Sequence, residues 1–327
     1  MRQQLIELAG RLLAKGLVVR TWGNFSLKVD DTALLITPSG RAYDTMAPED
    51  LVSVSLETKK ALPDQPLKPS SEAPMHALVY LNRPKARVVL HTHQVYASAL
   101  SLSPRELTVG QAHQAILGTV SIPVAGYGLP GTKGLHQHIE AALRSSTSDV
   151  VLMARHGALI IAEDIDQAIE RAEALEEVCR AAYEKLIGRD GGVRDDLSYD
   201  NVLETALRDR RQVAYPAETL IVSTDDEVKQ LPEGALKPYL DDFAQIVGVS
   251  VGHKRRGNQA VFGPDKAYTL CFGQDEQEAR SVRAVLEKNA RAAQVARIYR
   301  QNPIPAWECR LMRLVYHKKY SAMAGAK

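Results

Sequence analysis

Residues 86–93 read A-R-V-V-L-H-T-H, a short apolar run that ends in two histidines. The β-branched residues predict a buried strand. Side chains at i and i+2 of a strand share a face, so His91 and His93 point the same way. Two adjacent imidazoles are suitable ligands for zinc or a similar divalent ion. Taken alone, the motif also fits a structural or surface pair of histidines.

A second apolar run, residues 149–162, contains the next histidine. It reads D-V-V-L-M-A-R-H-G-A-L-I-I-A, and Arg155-His156-Gly157 interrupts the apolar pattern. A buried strand has little reason for such an interruption, although a hydrogen-bonded core histidine would account for it. Three histidines supplied by two strands would leave one coordination position open, as catalytic zinc sites do.

The segment 69–76, P-S-S-E-A-P-M-H, predicts the start of a helix that ends near Leu81. Ser70 is the predicted N-cap, and Glu72 falls in the first turn. The free N–H groups of such a helix start, together with the hydroxyls of Ser70 and Ser71, can bind an anion. The alternative is an ordinary cap followed by an acidic first turn.

Two small polar turns are further candidates for anion binding. Residues 21–26 (T-W-G-N-F-S) and 37–40 (T-P-S-G) can present backbone amides and hydroxyls to a phosphate, or can be plain turns at strand ends. Asp30-Asp31, between two apolar runs, predicts a hairpin. Further along, Asp164 with Gln167 three residues later predicts the capped start of a long helix that ends near Leu186.

The motifs form an ordered set: T-x-G-N-x-S, T-P-S-G, S-S-E-x-x-x-H, H-x-H and H-G. This set resembles the class II aldolase/adducin family, and especially its zinc-dependent sugar-phosphate aldolases of the L-fuculose-1-phosphate type. The resemblance covers about residues 1–190 and includes the loop P-V-A-G-Y-G-L-P-G-T, residues 123–132. It implies a three-layer α/β/α sandwich around a mostly antiparallel central sheet, and a homotetramer with sites near subunit interfaces.

The resemblance also assigns roles to residues. His91, His93 and His156 match the family's zinc ligands. Glu72 matches its catalytic acid/base, which can also approach the metal in the empty enzyme. The positions that match the family's phosphate-binding residues are Asn24, Ser39, Gly40, Ser70 and Ser71, joined by Thr21.

These residues suit the chemistry of an aldolase that cleaves a ketose 1-phosphate to dihydroxyacetone phosphate and an aldehyde. A metal can polarise the carbonyl and stabilise the developing enediolate. Glu72 can move the proton, and a bound phosphate can fix the substrate. The alternatives are a metal-dependent epimerase, dehydratase or decarboxylase of the same family, or a non-catalytic interaction protein.

The chain departs from the family pattern in one catalytic region. The aldolases carry a tyrosine about twenty residues after H-x-H, as the proton donor on the aldehyde side. Residues 109–117 read V-G-Q-A-H-Q-A-I-L here, without tyrosine. His113 is the candidate replacement, Gln114 lies beside it, and a surface or core histidine is the alternative. The family's C-terminal tyrosine has no match either.

The glycine-rich stretch 188–196 predicts a linker between an aldolase/adducin-like domain, 1–192, and a smaller α/β region, 197–327. Residues 260–293 repeat the strand–turn–strand–helix order of 150–182, with Asp275 and Ala279 at the places of Asp164 and Ala168. This is a candidate degenerate partial repeat that lacks metal ligands, because Ala267-Tyr268 replaces His156-Gly157.

The rest of this region is less informative. It loosely resembles the stretch after the aldolase domain of bifunctional rhamnulose-phosphate aldolase/dehydrogenases. We expect it to shape or cap the site, or to support assembly. Residues 235–248 and 302–320 are predicted to be helices. The basic run 253–257 fits a solvated loop, an anion site or a cover for a neighbouring subunit's site.

Composition limits the remaining classes of protein to which this chain could belong. The chain has 327 residues and a net charge of +2, which argues against a nucleic-acid binder. No apolar run approaches the ~18 residues that a membrane span needs. The N-terminus fits an amphipathic helix better than a secretory signal, and Glu7 argues against a mitochondrial presequence. Three scattered cysteines favour a cytoplasmic protein without disulfides.

Overall fold

The computed structural model describes residues 1–18, 21–188 and 218–324, with side chains as far as residue 318. The chain divides into two compact units, Met1–Ala182 and Tyr183–Lys327. Most of the predicted linker, residues 189–196, lies outside the described residues. No helix in the described ranges is long and apolar enough to cross a membrane.

The first unit is built on a seven-stranded sheet with the order β3-β2-β1-β4-β9-β8-β7. Every neighbouring pair is antiparallel except β7 and β8, which are parallel. The expected mostly antiparallel central sheet is therefore confirmed. The strands of this sheet are β1 Asn24–Lys28, β2 Ala33–Ile36, β3 Val52–Ser55, β4 Val88–Thr92, β7 Val124–Ala125, β8 Val150–Met153 and β9 Gly157–Ala162. Two further short strands, β5 Leu107–Thr108 and β6 Ser121–Ile122, pair with each other in a separate sheet.

Helices cover the sheet of the first unit because alternate strand residues point to opposite faces. One face, with Val89 and Leu159, forms a buried cluster with α2 and α5. The other face, with Leu90 and Ile160, meets α1 and α3. The helices are α1 Arg2–Ala14, α2 Ala73–Asn82, α3 Val95–Leu100, α4 Gln111–Leu117, α5 Lys133–Ser145 and α6 Ile165–Leu186.

Helix α6 begins as its sequence predicts. The backbone N–H of Gln167 donates to Asp164 Oδ1 at 2.8 Å, and the N–H of Glu163 donates to Gln167 Oε1 at 2.8 Å. The first bond satisfies an N–H group that the first turn of the helix leaves unpaired, and the second pairs the N–H of the residue just before the cap. The reciprocal bonds fix the point at which the chain leaves β9 and turns into the helix.

The second unit contains a three-stranded antiparallel sheet with the order β10-β12-β11. The long helix α8 contacts β10 and β12. Its first turn is capped by Asp275, whose Oδ1 accepts from the N–H of Glu278 at 2.7 Å. The elements are β10 Thr219–Ser223, α7 Asp226–Lys229, β11 Ala260–Phe262, β12 Thr269–Gly273, α8 Glu276–Ile298 and α9 Ala306–Ala324.

Of the two further helices expected in this unit, one is confirmed and the other is wrong in extent. Helix α9 matches the expectation for 302–320, whereas 235–248 contains only a π-helical turn at Phe243–Val247. Leu236 forms a β-bridge with Val251, and Pro238 follows it. The side chain of Asn289 then accepts the N–H groups of Tyr239 and Leu240, so the backbone there is bonded outside a helix.

The basic run 253–257 has structural contacts. Arg255 makes two hydrogen bonds to the carboxylate of Glu218, and its guanidinium lies 4.1 Å from the centre of the Phe272 ring. Its Nε also donates to the carbonyl of Asn258 at 2.9 Å. These contacts hold the loop to the three-stranded sheet and engage the charge of Arg255.

Candidate active site

Three histidines meet at one end of the main sheet. His91 lies near the end of β4, His93 directly after it, and His156 directly before β9. Antiparallel pairing of Thr92 with Ala158 brings the end of β4 beside the start of β9. Each pair of rings has its centroids 4.7 Å apart, and the potential ligand atoms lie within 4.8 Å of one another. The grouping expected from the sequence is therefore present.

Two glycines allow the backbones to approach each other around this cluster. A Cβ atom on Gly157 would lie 2.2 Å from the carbonyl oxygen of Thr92, which is far inside van der Waals contact. A Cβ on Gly23, whose φ is +97°, would lie 2.3 Å from the carbonyl oxygen of His91. The glycines of the H-G and T-x-G-N-x-S motifs thus have a steric reason.

The turn that carries His156 is tight. Its N–H donates to the carbonyl of Met153 at 3.0 Å. The preceding Arg155 adopts a left-handed φ of +64°, which non-glycine residues seldom do. The N–H of Arg155 donates to Ser101 Oγ at 3.0 Å, a bond that helps to hold this conformation.

The protonation of His91 suits a metal ligand. Its Nδ1 lies 3.0 Å from the carbonyl oxygen of Ala158, which can only accept, so Nδ1 carries the hydrogen. Nε2 then points its lone pair toward His93 Nε2, 2.9 Å away. Burial lowers the pKa of His91 well below its ordinary value and favours the neutral ring. Neutral imidazoles fixed through their second nitrogen are the form that divalent metals bind, so the donor set fits such an ion.

Glu72 completes the cluster. Its Oε1 lies 3.1 Å from His156 Nε2, and its Oε2 lies 3.4 Å from His91 Nε2. The carboxylate is buried, which by itself raises its pKa, but attraction to His91 and His156 in their protonated forms, together with hydrogen bonds from His156 and the Asn24 amide, holds the pKa well below its ordinary value. Glu72 is therefore ionised at neutral pH, directly beside the histidines.

The start of α2 differs slightly from the expectation. Glu72 itself is the N-cap, one residue before the helix, and its side chain turns into the site. Ser70 lies further back, where its Oγ accepts the N–H of Glu72 at 3.2 Å. Ser70 thus fixes the backbone of Glu72 and is not the N-cap of the helix, because the helix starts two residues later than predicted.

The expected phosphate-binding turns lie side by side. The N–H of Ser70 donates to Thr37 O at 3.2 Å, and the N–H of Ser39 donates to Lys68 O at 3.0 Å. This antiparallel pairing places Thr37 beside Ser70 and Ser39 beside Lys68, so the two turns are neighbours. Asn24 donates to Glu72 Oε2 at 2.7 Å, and Thr21 lies half-buried just before β1. Phosphate binding by these residues stays a prediction.

His113 makes a contact outside this cluster. It lies on α4, and its Nε2 is 3.2 Å from Oε2 of Glu177 on α6. The Glu177 side chain is largely exposed. Its use as a proton donor stays a prediction that the observed contact does not support.

Sequence reasoning missed a chain of buried polar residues behind Glu72. His76 Nε2 lies 2.6 Å from Asn24 Oδ1, and His76 Nδ1 lies 2.7 Å from Ser26 Oγ. Tyr80 Oη lies 2.9 Å from the same Ser26 Oγ. The signal was present, since Glu72, His76 and Tyr80 recur at four-residue spacing along one face of α2.

Comparison with known proteins agrees with this geometry. Residues 3–183 match the family model described as "Class II Aldolase and Adducin N-terminal domain". An L-fuculose phosphate aldolase of Haemophilus influenzae is 31% identical over 185 residues, 57% of this chain and 82% of that protein. A 3-oxo-tetronate 4-phosphate decarboxylase of Pectobacterium atrosepticum is 28% identical over 186 residues, 56% of this chain and 83% of that protein.

A solved structure shows the same fold. An L-fuculose 1-phosphate aldolase superimposes with a TM-score of 0.53 at 25% identity, covering 63% of this chain and 95% of that one. The match to the family model spans more than half of the chain and includes all three histidines and Glu72. The chain belongs to the class II aldolase and adducin N-terminal domain family.

Proposed function

We propose that the cluster of Glu72 with His91, His93 and His156 is the active site of a metal-dependent lyase that acts on a sugar phosphate. The specific reaction proposed is cleavage of a ketose 1-phosphate to dihydroxyacetone phosphate and an aldehyde. The observation that carries the proposal is a buried carboxylate within 3.4 Å of two of three converging imidazoles. Zinc is the proposed ion, held by the three histidines, and it would supply Lewis-acid polarisation of the substrate carbonyl.

Glu72 is the proposed acid/base. In the direction of synthesis, an ionised carboxylate can remove a proton from the carbon next to the carbonyl of dihydroxyacetone phosphate. In the direction of cleavage, it returns that proton to the same carbon after the carbon–carbon bond has broken. The hydroxyl that becomes the aldehyde must lose a proton separately, and His113 is the only candidate that the sequence offered for that step.

The polar turns are the proposed phosphate site. Ser70 is mostly buried while Ser71 is exposed, and the paired turn offers the Ser39 hydroxyl and the Gly40 backbone amide as further candidate donors. A phosphate held there, with Thr21 and the second amide hydrogen of Asn24, would fix the reacting carbons relative to Glu72. Such positioning lowers the barrier by removing the entropy cost of orienting the substrate.

Decarboxylation is the second candidate reaction. Relatives of this chain at 28% and 26% identity are 3-oxo-tetronate 4-phosphate decarboxylases. Loss of CO2 also leaves an electron pair beside a carbonyl, but no substrate hydroxyl has to lose a proton. The absence of tyrosine from residues 109–117 is compatible with that simpler requirement.

One experiment separates these proposals. The purified protein is analysed for bound metal and assayed with a panel of ketose 1-phosphates and 3-oxo-tetronate 4-phosphates, for aldehyde and for CO2. The aldolase proposal expects bound zinc and aldehyde release that His156→Ala abolishes. Release of CO2 alone would favour the decarboxylase. A protein without bound divalent metal, or lyase activity that survives in His156→Ala, would contradict both.

We also propose that residues 197–327 are a degenerate repeat that shapes or caps the site or supports assembly, and that the protein is a homotetramer. Support for the repeat is the common strand order and helix cap of the two units. Light scattering of the full chain tests the assembly. A mass of four chains is expected, and a monomeric mass would contradict it.

A further inference from the structure

We propose that His76 is a positioning residue that holds the Asn24 amide with its N–H toward Glu72, through a buried chain of hydrogen bonds that ends at Tyr80. The functional part of this inference rests on the proposed role of Glu72, and the geometric part does not. His76 touches none of the three histidines proposed as ligands in the contacts described, and it acts through Asn24.

The chain links two elements that run side by side. On α2, Glu72, His76 and Tyr80 follow one another at one-turn intervals. On β1, Asn24 and Ser26 share a face of the strand. The bonds alternate between the elements: Glu72 to Asn24 at 2.7 Å, Asn24 to His76 at 2.6 Å, His76 to Ser26 at 2.7 Å, and Ser26 to Tyr80 at 2.9 Å.

The contacts determine the direction of the hydrogen bonds between Glu72 and Ser26. The Asn24 amide nitrogen donates to Glu72 Oε2 at 2.7 Å, and its Oδ1, which can only accept, lies 2.6 Å from His76 Nε2. His76 must then carry its hydrogen on Nε2. Burial lowers the pKa of His76 to about 4, so the ring is neutral at neutral pH and Nδ1 accepts. Ser26 Oγ therefore donates to Nδ1, and it lies 2.9 Å from Tyr80 Oη, whose hydroxyl also donates to the carbonyl oxygen of Ser26 at 3.0 Å.

Burial makes this arrangement exclusive. His76 and Ser26 are fully buried, and Asn24 and Tyr80 are nearly so. Water does not reach these groups to replace a lost partner, and a buried polar atom without a partner is costly. Removal of the Nε2–H donor leaves Asn24 Oδ1 unpaired, which releases the constraint on the amide and hence on the Glu72 carboxylate. The proposed role of His76 is to orient Asn24 and not to transfer a proton, because its Nε2 hydrogen is already donated to Asn24 Oδ1.

The test compares three variants. His76→Leu removes the donor, His76→Gln keeps an amide N–H that can reach Asn24 Oδ1, and Met75→Leu changes a fully buried neighbour on the same helix outside the chain. The zinc-loaded proteins are assayed for exchange of the α-proton of dihydroxyacetone phosphate with deuterium, which reports on Glu72.

We expect His76→Leu to lower kcat for exchange by about 100-fold, the cost of a misplaced catalytic group, with KM and zinc content unchanged. His76→Gln recovers most of this loss, and Met75→Leu behaves as wild type. Wild-type kcat in His76→Leu would overturn the positioning role. A His76→Gln variant with a kcat as low as that of His76→Leu would also overturn it, because purely structural damage would lower kcat in both variants.

A second readout needs no substrate and separates this inference from the proposed function. If wild type does not exchange dihydroxyacetone phosphate, the proposed function fails, and NMR alone decides the inference. Nitrogen-15 NMR of the imidazoles is expected to show His76 as the neutral Nε2–H tautomer. The side-chain amide of Asn24 should exchange slowly in wild type and His76→Gln and rapidly in His76→Leu. An Nδ1–H tautomer, or equal amide exchange in all three, would overturn it.

Discussion

Two parts of the molecule share a scaffold and differ in chemistry. In the first unit the strand order β4-β9-β8 leads into α6, and in the second the order β10-β12-β11 leads into α8, with all pairs antiparallel. Both helices are capped by an aspartate whose Oδ1 accepts the N–H three residues on. Backbone order alone therefore does not make the site.

The registers show which residues differ. When Asp164 is placed on Asp275, Leu159 falls on Leu270. The residue paired with Leu159 is His91, whereas the residue paired with Leu270 is Val222. The second sheet thus has an apolar side chain at the place of a proposed metal ligand.

A neighbouring position also changes from a residue of the site in the first unit to a residue of an apolar cluster in the second. Gly157 of the first unit corresponds to Tyr268 of the second, and Tyr268 packs with Val222, Leu270 and Phe272 in a buried apolar cluster. Where the first unit has a glycine that allows close backbone approach, the second unit has a tyrosine that packs in an apolar cluster. In this alignment the two units have the same strand order and differ at a few side chains near the strand ends, among them a proposed metal ligand.

The largest expected effect comes from the paired substitutions His91→Ala and Val222→Ala. His91→Ala should weaken zinc binding by more than about 100-fold, since even the outer partners of a ligand are worth about 10–100-fold. Val222→Ala should leave zinc binding unchanged. Competition with a chelator measures both. Equal zinc affinity in wild type and His91→Ala would remove the distinction between the two units.

The next effect concerns Gly157. Gly157→Ala would place a Cβ against the backbone of Thr92, so the strands must separate, and we expect a loss of about 3 kcal/mol of stability. The control is Gly10→Ala on α1, where a Cβ meets nothing within 4 Å. Denaturant unfolding measures the two. A Gly157→Ala protein as stable as Gly10→Ala would show that the close approach is not required.

A smaller effect is the acid sensitivity that His76 gives to the first unit. Its pKa is about 4 in the folded protein against 6.5 for the free side chain. Below pH 6.5 the unfolded chain binds a proton that the folded chain does not, so stability falls as pH decreases toward 4. For this residue the loss is about 2 kcal/mol at pH 5.

The measurement for this prediction is denaturant unfolding of the metal-free protein at pH 7 and pH 5. The fall in the free energy of unfolding between pH 7 and pH 5 should be smaller by that amount in His76→Gln, because glutamine does not titrate. If wild type and His76→Gln lose stability equally between pH 7 and pH 5, His76 is not the buried neutral group described here.

The smallest effect tests the likeness of the two scaffolds. Asp164→Ala and Asp275→Ala each remove a side-chain cap, and each should cost about 1 kcal/mol. Thermal unfolding of the two variants, with Glu170→Ala as an exposed control on α6, measures the costs. A large cost for one aspartate and none for the other would break the correspondence between the helices.

Local sequence patterns predicted much of this structure. The strand that ends in His91, the histidine that precedes β9 and the cap of α6 are encoded within a few neighbouring residues, and each was found where expected. The ordered motifs also placed Glu72 with the three histidines.

Features that depend on distant contacts were missed. The 235–248 segment has helical composition, but the bridge of Leu236 to Val251 and the side chain of Asn289 hold it otherwise. The bond between Ser26 and His76 joins residues fifty positions apart, so no local pattern reveals it. Tertiary contacts decided both cases.

The central claim is that Glu72 moves a proton beside a metal held by His91, His93 and His156. Its most direct test is α-proton exchange of dihydroxyacetone phosphate by wild type and Glu72→Gln at equal zinc content. We expect exchange by wild type and a loss of at least about 100-fold in Glu72→Gln, as for removal of a general base. Exchange at the wild-type rate in Glu72→Gln, or none by zinc-loaded wild type, would contradict it.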